Sequence, residues 1–87
     1  MTGRHMQTLV SEQTLGYMLK DARLRRRLTQ AEAGKCVGLD QTVISRIENG
    51  RHALRVDTLF KILAALDYEM LIQPREDGVP EQKGDAW

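Results

Sequence analysis

Cysteine and aromatic residues are scarce in this 87-residue chain, and each scarcity excludes a class of structure. The single cysteine, Cys36, excludes an internal disulfide framework and a Cys-x-x-Cys metal site, and it agrees with a reducing cytoplasm. We expect Cys36 as a small core residue. With only four aromatic residues, aliphatic side chains must build the core. No apolar run approaches the ~18 residues that cross a bilayer, and no apolar signal segment begins the chain, which predicts a cytoplasmic protein without a membrane partner.

Length and charge indicate a small protein with an anionic partner. One domain fits in 87 residues, and a chain this short buries only about 60% of its unfolded surface, so we expect dimerisation to add stability. Residues 14–66 carry ten Lys and Arg against five Asp and Glu, whereas residues 67–87 carry two against six. A basic body attracts an anionic partner, although solubility alone would also explain it. No metal-ligand cluster and no nucleophile–base pair stands out, so we predict neither an enzyme nor a cofactor.

The spacing of apolar residues predicts a small all-α domain of four to five helices with one short strand at its end. Thr29 begins the second helix, because Glu32 three residues later completes a capping box, and Gly38 supplies the turn that follows. Asp40 caps the third helix, which ends at Asn49. Helices are expected at about 13–28, 29–37, 40–48 and 56–66, so that residues 13–66 form the domain and residues 1–12 a flexible arm.

The C-terminal residues predict a strand and then a disordered tail. Residues 67–73 form a short apolar run of strand-forming residues, which Pro74 ends. A lone strand leaves its backbone groups unpaired, so we expect it to pair with the same strand of a second subunit across a two-fold axis. The residues expected in this dimer contact are Tyr68, Met70, Leu71 and Ile72. An unpaired extension is the alternative, and residues 74–87 are expected to be disordered.

The third predicted helix has one apolar side and one polar side. Val43, Ile44 and Ile47 have the spacing of a single buried stripe. This spacing leaves four side chains on the outside, which are Gln41, Thr42, Ser45 and Arg46. A helix fits the major groove of DNA, where glutamine can pair with adenine, arginine with guanine, and threonine with a thymine methyl group. A solvated surface is the ordinary alternative for such a face.

The segment from Thr29 to Gly50 resembles the helix-turn-helix of the Cro and phage-repressor family, and the likeness extends over residues 15–66. The resemblance implies that the third helix enters the major groove and that an ion pair joins the first helix to the third. Ser45 is short enough to approach a base or a phosphate. By this resemblance Gln30 and Asn49 would touch phosphates, Gln41, Thr42 and Arg46 would face bases, Arg51 would reach the backbone or the minor groove, and Arg23 would pair with Glu48.

Two residues depart from the pattern of that family. Gly34 lies in the second helix where the family usually has alanine, which we expect to cost about 1 kcal/mol. Asp40 opens the helix expected in the groove, and its charge repels phosphate. We therefore interpret Asp40 as a helix cap that can also accept a hydrogen bond from cytosine N4.

The C-terminal features are similar to those of the HipB antitoxin family. The resemblance rests on the helix-turn-helix, on residues 60–63 followed by Leu66, on the predicted strand, and on Trp87 at the end of the chain. It implies a homodimer that binds an inverted-repeat operator, represses its own operon and neutralises a HipA-type Ser/Thr kinase toxin. Trp87 would bind the toxin, since tryptophan is enriched at binding hot spots. Two alternatives stay open: a stand-alone repressor with a dispensable tail, and an interaction module that no longer binds DNA.

Overall fold

The computed structural model describes residues 8–75, and the predicted toxin-binding Trp87 lies outside this range. Four α-helices follow one another in it: α1 (Glu12–Arg25), α2 (Gln30–Val37), α3 (Gln41–Glu48) and α4 (Val56–Leu66). This order confirms the predicted all-α domain. Helix α1 begins one residue before the predicted start, because Ser11 caps it. It ends three residues before the predicted end, because Arg27 takes a left-handed φ of 61° just after the helix. None of the described helices is long and apolar enough to cross a bilayer.

Local hydrogen bonds begin the first three helices. In α2 the Thr29 hydroxyl accepts a hydrogen bond from the Glu32 backbone N–H at 3.0 Å, and the Glu32 carboxylate accepts one from the Thr29 N–H at 2.8 Å. This exchange confirms the predicted capping box. Asp40 begins α3, since its side chain accepts a backbone hydrogen bond three residues further on at 3.4 Å. An equivalent box at α1 joins Ser11 and Thr14, and the sequence interpretation missed it.

An aliphatic core lies where the four helices meet. Its buried side chains belong to Leu19, Ala22, Ile47, Ile62, Leu63 and Leu66. Among the described residues, none of the buried hydrophobic side chains is aromatic, as the composition predicts. Helix α2 packs against both α3 and α4, and α1 packs against α3. Helix α3 is therefore supported by α1 and α2.

The expected burial of Cys36 is wrong, because its side chain is exposed. Gly34 and Val37 are three residues apart and so share one face of α2. This face packs against the neighbouring helices. Cys36 lies beside Val37 and therefore falls at the edge of this face.

A tight turn joins α2 to α3 and brings the backbone close to Gly34. Gly38 caps α2 with a left-handed φ of 75°, a conformation that glycine adopts without steric cost. The Leu39 N–H then donates to the Gly34 carbonyl at 2.9 Å. A Cβ atom built on Gly34 would run into the Leu39 carbonyl oxygen and would lie 3.2 Å from Ile44 Cγ1. Gly34 thus permits a close approach that its helix propensity does not reveal.

We expect Gly34→Ala to lower the free energy of unfolding by about 1–3 kcal/mol, because the added methyl group must displace backbone atoms. Helix propensity alone predicts the opposite, a gain of about 1 kcal/mol. Urea unfolding followed by circular dichroism measures the change. Ala31→Gly at an exposed position of α2 is the control, and it should lose about 1 kcal/mol through propensity alone. A Gly34→Ala protein more stable than wild type would contradict the proposed close packing.

The chain after α4 corrects the predicted strand at residues 67–73. Asp67 belongs to the end of α4, where it takes a left-handed φ of 64°, and the Tyr68 N–H donates to the Leu63 carbonyl at 2.8 Å. Residues 68–75 form neither helix nor strand. No other part of residues 8–75 is a strand, so a single chain offers this segment no pairing partner within that range. Pairing with a second subunit stays a prediction.

Candidate nucleic-acid interface

Helix α3 buries one side and presents the other. Ile44 and Ile47 are 4% and 5% exposed, as the apolar stripe predicts. On the opposite side Gln41, Thr42 and Arg46 are exposed and Ser45 is half-buried. With two residues that follow the helix, these side chains line one continuous area, which we call the polar α3 surface: Gln41, Thr42, Ser45, Arg46, Asn49 and Arg51.

Two hydrogen bonds at the end of α3 bring Asn49 and Arg51 onto this surface. The Asn49 side-chain N–H donates to the Ser45 carbonyl at 2.9 Å, and the Arg51 backbone N–H donates to the Arg46 carbonyl at 2.8 Å. Gly50 between them has a φ of 71°, which reverses the chain. The polar side chains of α3 and of its C-terminal turn therefore share one face.

Arg23 and Glu48 form a buried ion pair between α1 and α3. Both residues are 7% exposed. Arg23 Nε lies 2.7 Å from Glu48 Oε2, and Nη2 lies 3.1 Å from Oε1, so the guanidinium and the carboxylate meet through two hydrogen bonds. Arg23 Nη1 donates to the Leu28 carbonyl at 2.7 Å. The pair therefore ties α3 to α1 and to the loop before α2.

A chain of two amides links this ion pair to the polar α3 surface. Gln30 Nε2 donates to Glu48 Oε1 at 3.1 Å, and Gln41 Nε2 donates to Gln30 Oε1 at 3.2 Å. The sequence interpretation placed Gln30 at a phosphate and did not expect it to touch Gln41. Gln30 and Gln41 are the first residues of α2 and α3, and a turn joins these two helices. This arrangement was the only sign in the sequence that the two side chains meet.

Gly16 sets the distance between α1 and α3. A Cβ atom built on Gly16 would lie 2.5 Å from the Ile47 carbonyl oxygen and 2.7 Å from that of Glu48. Only a residue without a side chain therefore lets the two helix backbones come this close. Sequence periodicity gives no sign of this role, since glycine in a helix otherwise only weakens it.

Several arginines outside the polar α3 surface are held by acidic neighbours. Arg25 Nε lies 2.8 Å from Asp21 Oδ2, and this hydrogen bond, together with the charge of the carboxylate, raises the pKa of Arg25. Arg55 Nε lies 3.0 Å from Asp57 Oδ1, and this hydrogen bond lowers the pKa of Asp57. The positive charge at both places is therefore partly neutralised within the chain.

The arginines of the polar α3 surface differ from these. Arg46 and Arg51 are exposed, and neither forms an ion pair with an acidic side chain among residues 8–75. Their guanidinium groups can therefore meet an external anion without first breaking an internal pair. Asp40 at the start of the helix carries the opposite charge, but its carboxylate is engaged in capping α3.

Comparison with known proteins agrees with this arrangement. Residues 19–72, more than half of the chain, match the model of a helix-turn-helix family (HTH_3). The chain belongs to this family. It is therefore a helix-turn-helix DNA-binding regulator of the phage-repressor type, and α2 and α3 are its helix-turn-helix.

A phage control protein and an antitoxin are similar to this chain over most of its length. The ImmF control region 10 kDa protein of Bacillus phage phi105 is 34% identical over 80% of this chain and 79% of its own length. Antitoxin HipB of Escherichia coli K12 is 32% identical over 86% of this chain and 85% of its own length. A HipA-HipB-O2-O3 complex contains a similar chain with a TM-score of 0.68 and 32% identity, over 78% of this chain and 96% of that one.

Proposed function

We propose that this regulator is an antitoxin that represses its own operon as a homodimer and neutralises a HipA-type Ser/Thr kinase toxin in the cytoplasm. The observation that carries the proposal is the length of its similarity to HipB, which covers 86% of this chain and 85% of HipB. The segment that is similar to HipB is therefore longer than the family match, which covers the 54 residues 19–72. HipB has also been solved together with HipA.

The proposed DNA contact puts the polar α3 surface into the major groove. Arg46 and Arg51 are exposed and form no ion pair with the acidic side chains of residues 8–75, which supports this contact. Arg46 would pair with guanine, Gln41 with adenine and Thr42 with a thymine methyl group. The remaining proposed contacts are Gln30 and Asn49 to phosphates, Ser45 to a base or a phosphate, Arg51 to the backbone or the minor groove, and Asp40 to cytosine N4 in addition to its capping role.

The proposed homodimer involves the segment that follows α4. Tyr68 packs against the core, whereas Met70, Leu71 and Ile72 are 39%, 70% and 95% exposed in the single chain. Three neighbouring exposed apolar side chains favour burial against another protein surface. A second copy would supply the strand partner that residues 8–75 lack, and it would place two recognition helices on the two halves of an inverted repeat.

The homodimer proposal is tested by footprinting on an operator selected from randomised DNA. We expect two protected half-sites about one helical turn, ~34 Å, apart. Leu71→Asp combined with Ile72→Asp should weaken dimerisation in sedimentation experiments and lower operator affinity, because the charges oppose burial. Protection of one isolated half-site by the wild-type protein would contradict the dimer.

The antitoxin role is tested with Trp87→Ala and a HipA-type kinase produced with the chain. We expect weaker co-purification of the kinase, because tryptophan is enriched at binding hot spots. Operator affinity should be unchanged, because Trp87 is not among the residues proposed to contact DNA. Gln82→Ala in the same C-terminal segment is the matched control and should leave both properties unchanged. If Trp87→Ala weakened operator binding and left kinase binding intact, the assignment would be wrong.

The alternative is a stand-alone regulator of the phage type without a toxin partner. Its support is the 34% identity to the phage phi105 control protein. A kinase gene beside the gene of this chain would favour the antitoxin, and a phage regulatory region around it would favour the alternative.

A further inference from the structure

The turn that ends α3 contains Asn49 followed by Gly50, and Asn49 is the only asparagine of the chain. An asparagine loses its amide when the backbone nitrogen of the next residue attacks the side-chain carbon Cγ. A nitrogen–Cγ bond then closes a succinimide ring, the Cγ–Nδ2 bond breaks, and ammonia leaves with the proton of the attacking N–H. Water opens the ring to aspartate or isoaspartate. Glycine favours the attack because no side chain shields its nitrogen.

The folded turn keeps the two reacting atoms apart. Asn49 has a φ of −95° and a ψ of 6°. A ψ near zero aligns the Gly50 nitrogen with the backbone nitrogen of Asn49, and so turns it away from Cβ and Cγ. The Gly50 N–H donates to the Ile47 carbonyl at 3.0 Å, and the Asn49 side-chain N–H donates to the Ser45 carbonyl at 2.9 Å. The ring can therefore close only after this turn opens.

The position of the turn at a helix end makes a local opening accessible. Asn49 is exposed, whereas Ile47 and Glu48 just before it are 5% and 7% exposed. An opening confined to Asn49 and Gly50 leaves both of these buried residues in place. Such fraying costs much less free energy than global unfolding. A small fraction of the folded protein therefore has a reactive turn.

We propose that Asn49 is a modification site, protected by the folded turn, whose slow conversion to aspartate or isoaspartate ends operator binding. The inference rests on the DNA contact of the polar α3 surface proposed above. The new carboxylate lies on the same surface as Arg46 and Arg51, where it repels phosphate and competes for their guanidinium groups. It can only accept hydrogen bonds, so the bond from residue 49 to the Ser45 carbonyl is lost.

Mass spectrometry with peptide mapping measures the conversion in the whole protein, folded or unfolded in guanidinium chloride, at mildly alkaline pH. We expect the folded protein to convert about 10- to 100-fold more slowly than the unfolded one, because only the open fraction reacts. Asn49→Gln should convert far more slowly in both states, since glutamine must close a larger ring. Equal rates in the two states, or no detectable conversion of the folded protein, would overturn the proposal.

Titration with an operator selected from randomised DNA measures the consequence. The converted fraction of the wild-type protein and the Asn49→Asp variant should both bind at least about tenfold more weakly than the fresh protein. Gln82→Glu makes the same amide-to-acid change in the C-terminal segment and should bind like wild type. Thermal unfolding identifies the fraction of Asn49→Asp that is folded.

The two readouts separate the modification from the DNA contact on which it rests. Wild-type affinity in the converted fraction and in folded Asn49→Asp would overturn the proposed effect on operator binding. A fresh wild-type protein that selects no DNA would instead refute the proposed DNA contact, whereas the conversion rates would still test the protection of Asn49.

Discussion

Replacing Glu48 with alanine should lower the free energy of unfolding by about 3–5 kcal/mol, because it leaves the buried guanidinium of Arg23 without a counter-charge. Arg23 is 7% exposed and cannot reach water without moving α1 or α3. A small domain is stable by only about 5–15 kcal/mol, so the variant should be largely unfolded at temperatures that the wild type tolerates. Urea unfolding followed by circular dichroism measures the loss.

The exposed pair of Arg55 and Asp57 provides the matched control for Glu48→Ala. It joins the same kinds of charged group at 3.0 Å but lies at the surface, where solvent screens the interaction. Asp57→Ala should therefore leave the unfolding midpoint close to that of wild type. Equal stability of the Glu48→Ala and wild-type proteins would show that the buried pair contributes nothing.

Replacing Arg46 with alanine should reduce operator affinity by about 1–3 kcal/mol per half-site, which corresponds to roughly 5- to 150-fold. The loss should be concentrated on operators with guanine at one position, because the proposed contact reads a base edge. Titrations against operators substituted at single base pairs measure the effect. In a dimer the loss applies to both half-sites, so the two free-energy losses add.

Salt dependence and a charge-matched variant test this assignment of Arg46. Lys61→Ala also removes one positive charge, but from an exposed position of α4 outside the polar α3 surface, so it should change affinity little. The log–log slope against salt falls by about 0.9 for each lost phosphate contact. Arg46→Ala should therefore keep the wild-type slope, and a uniform loss on all sequences with a reduced slope would mean that Arg46 only contacts the backbone.

The helices could be predicted from the sequence because the signals that start and end them are local. Thr29 and Glu32 lie three residues apart, and Asp40 caps the helix that begins at the next residue. The outward face of α3 follows in the same way from the spacing of its apolar residues. The predicted ends of α1 differ from the observed ones because the prediction did not include the Ser11 cap or the left-handed conformation of Arg27.

Contacts between helices could not be predicted in this way. The hydrogen bond between Gln30 and Gln41 joins residues that are eleven apart in the sequence. Which of the two amides donates depends on Glu48, because Gln30 also donates to the Glu48 carboxylate. The role of Gly16 depends on how closely a distant backbone approaches. Residues 67–73 are of types that favour a strand, but a strand forms only when a second strand pairs with it. The residue pattern of one chain does not show whether such a partner exists.

Glu48 serves two neighbours at once, since its Oε1 atom accepts from both Arg23 and Gln30. This constrains how duplicated copies of such a regulator can diverge within one genome. A copy that changed Glu48 to alter its target would first lose solubility and abundance. Paralogues must therefore acquire different operator sequences through changes at Thr42, Ser45 and Arg46. The side chains of these residues lie on the polar α3 surface and outside the buried pair.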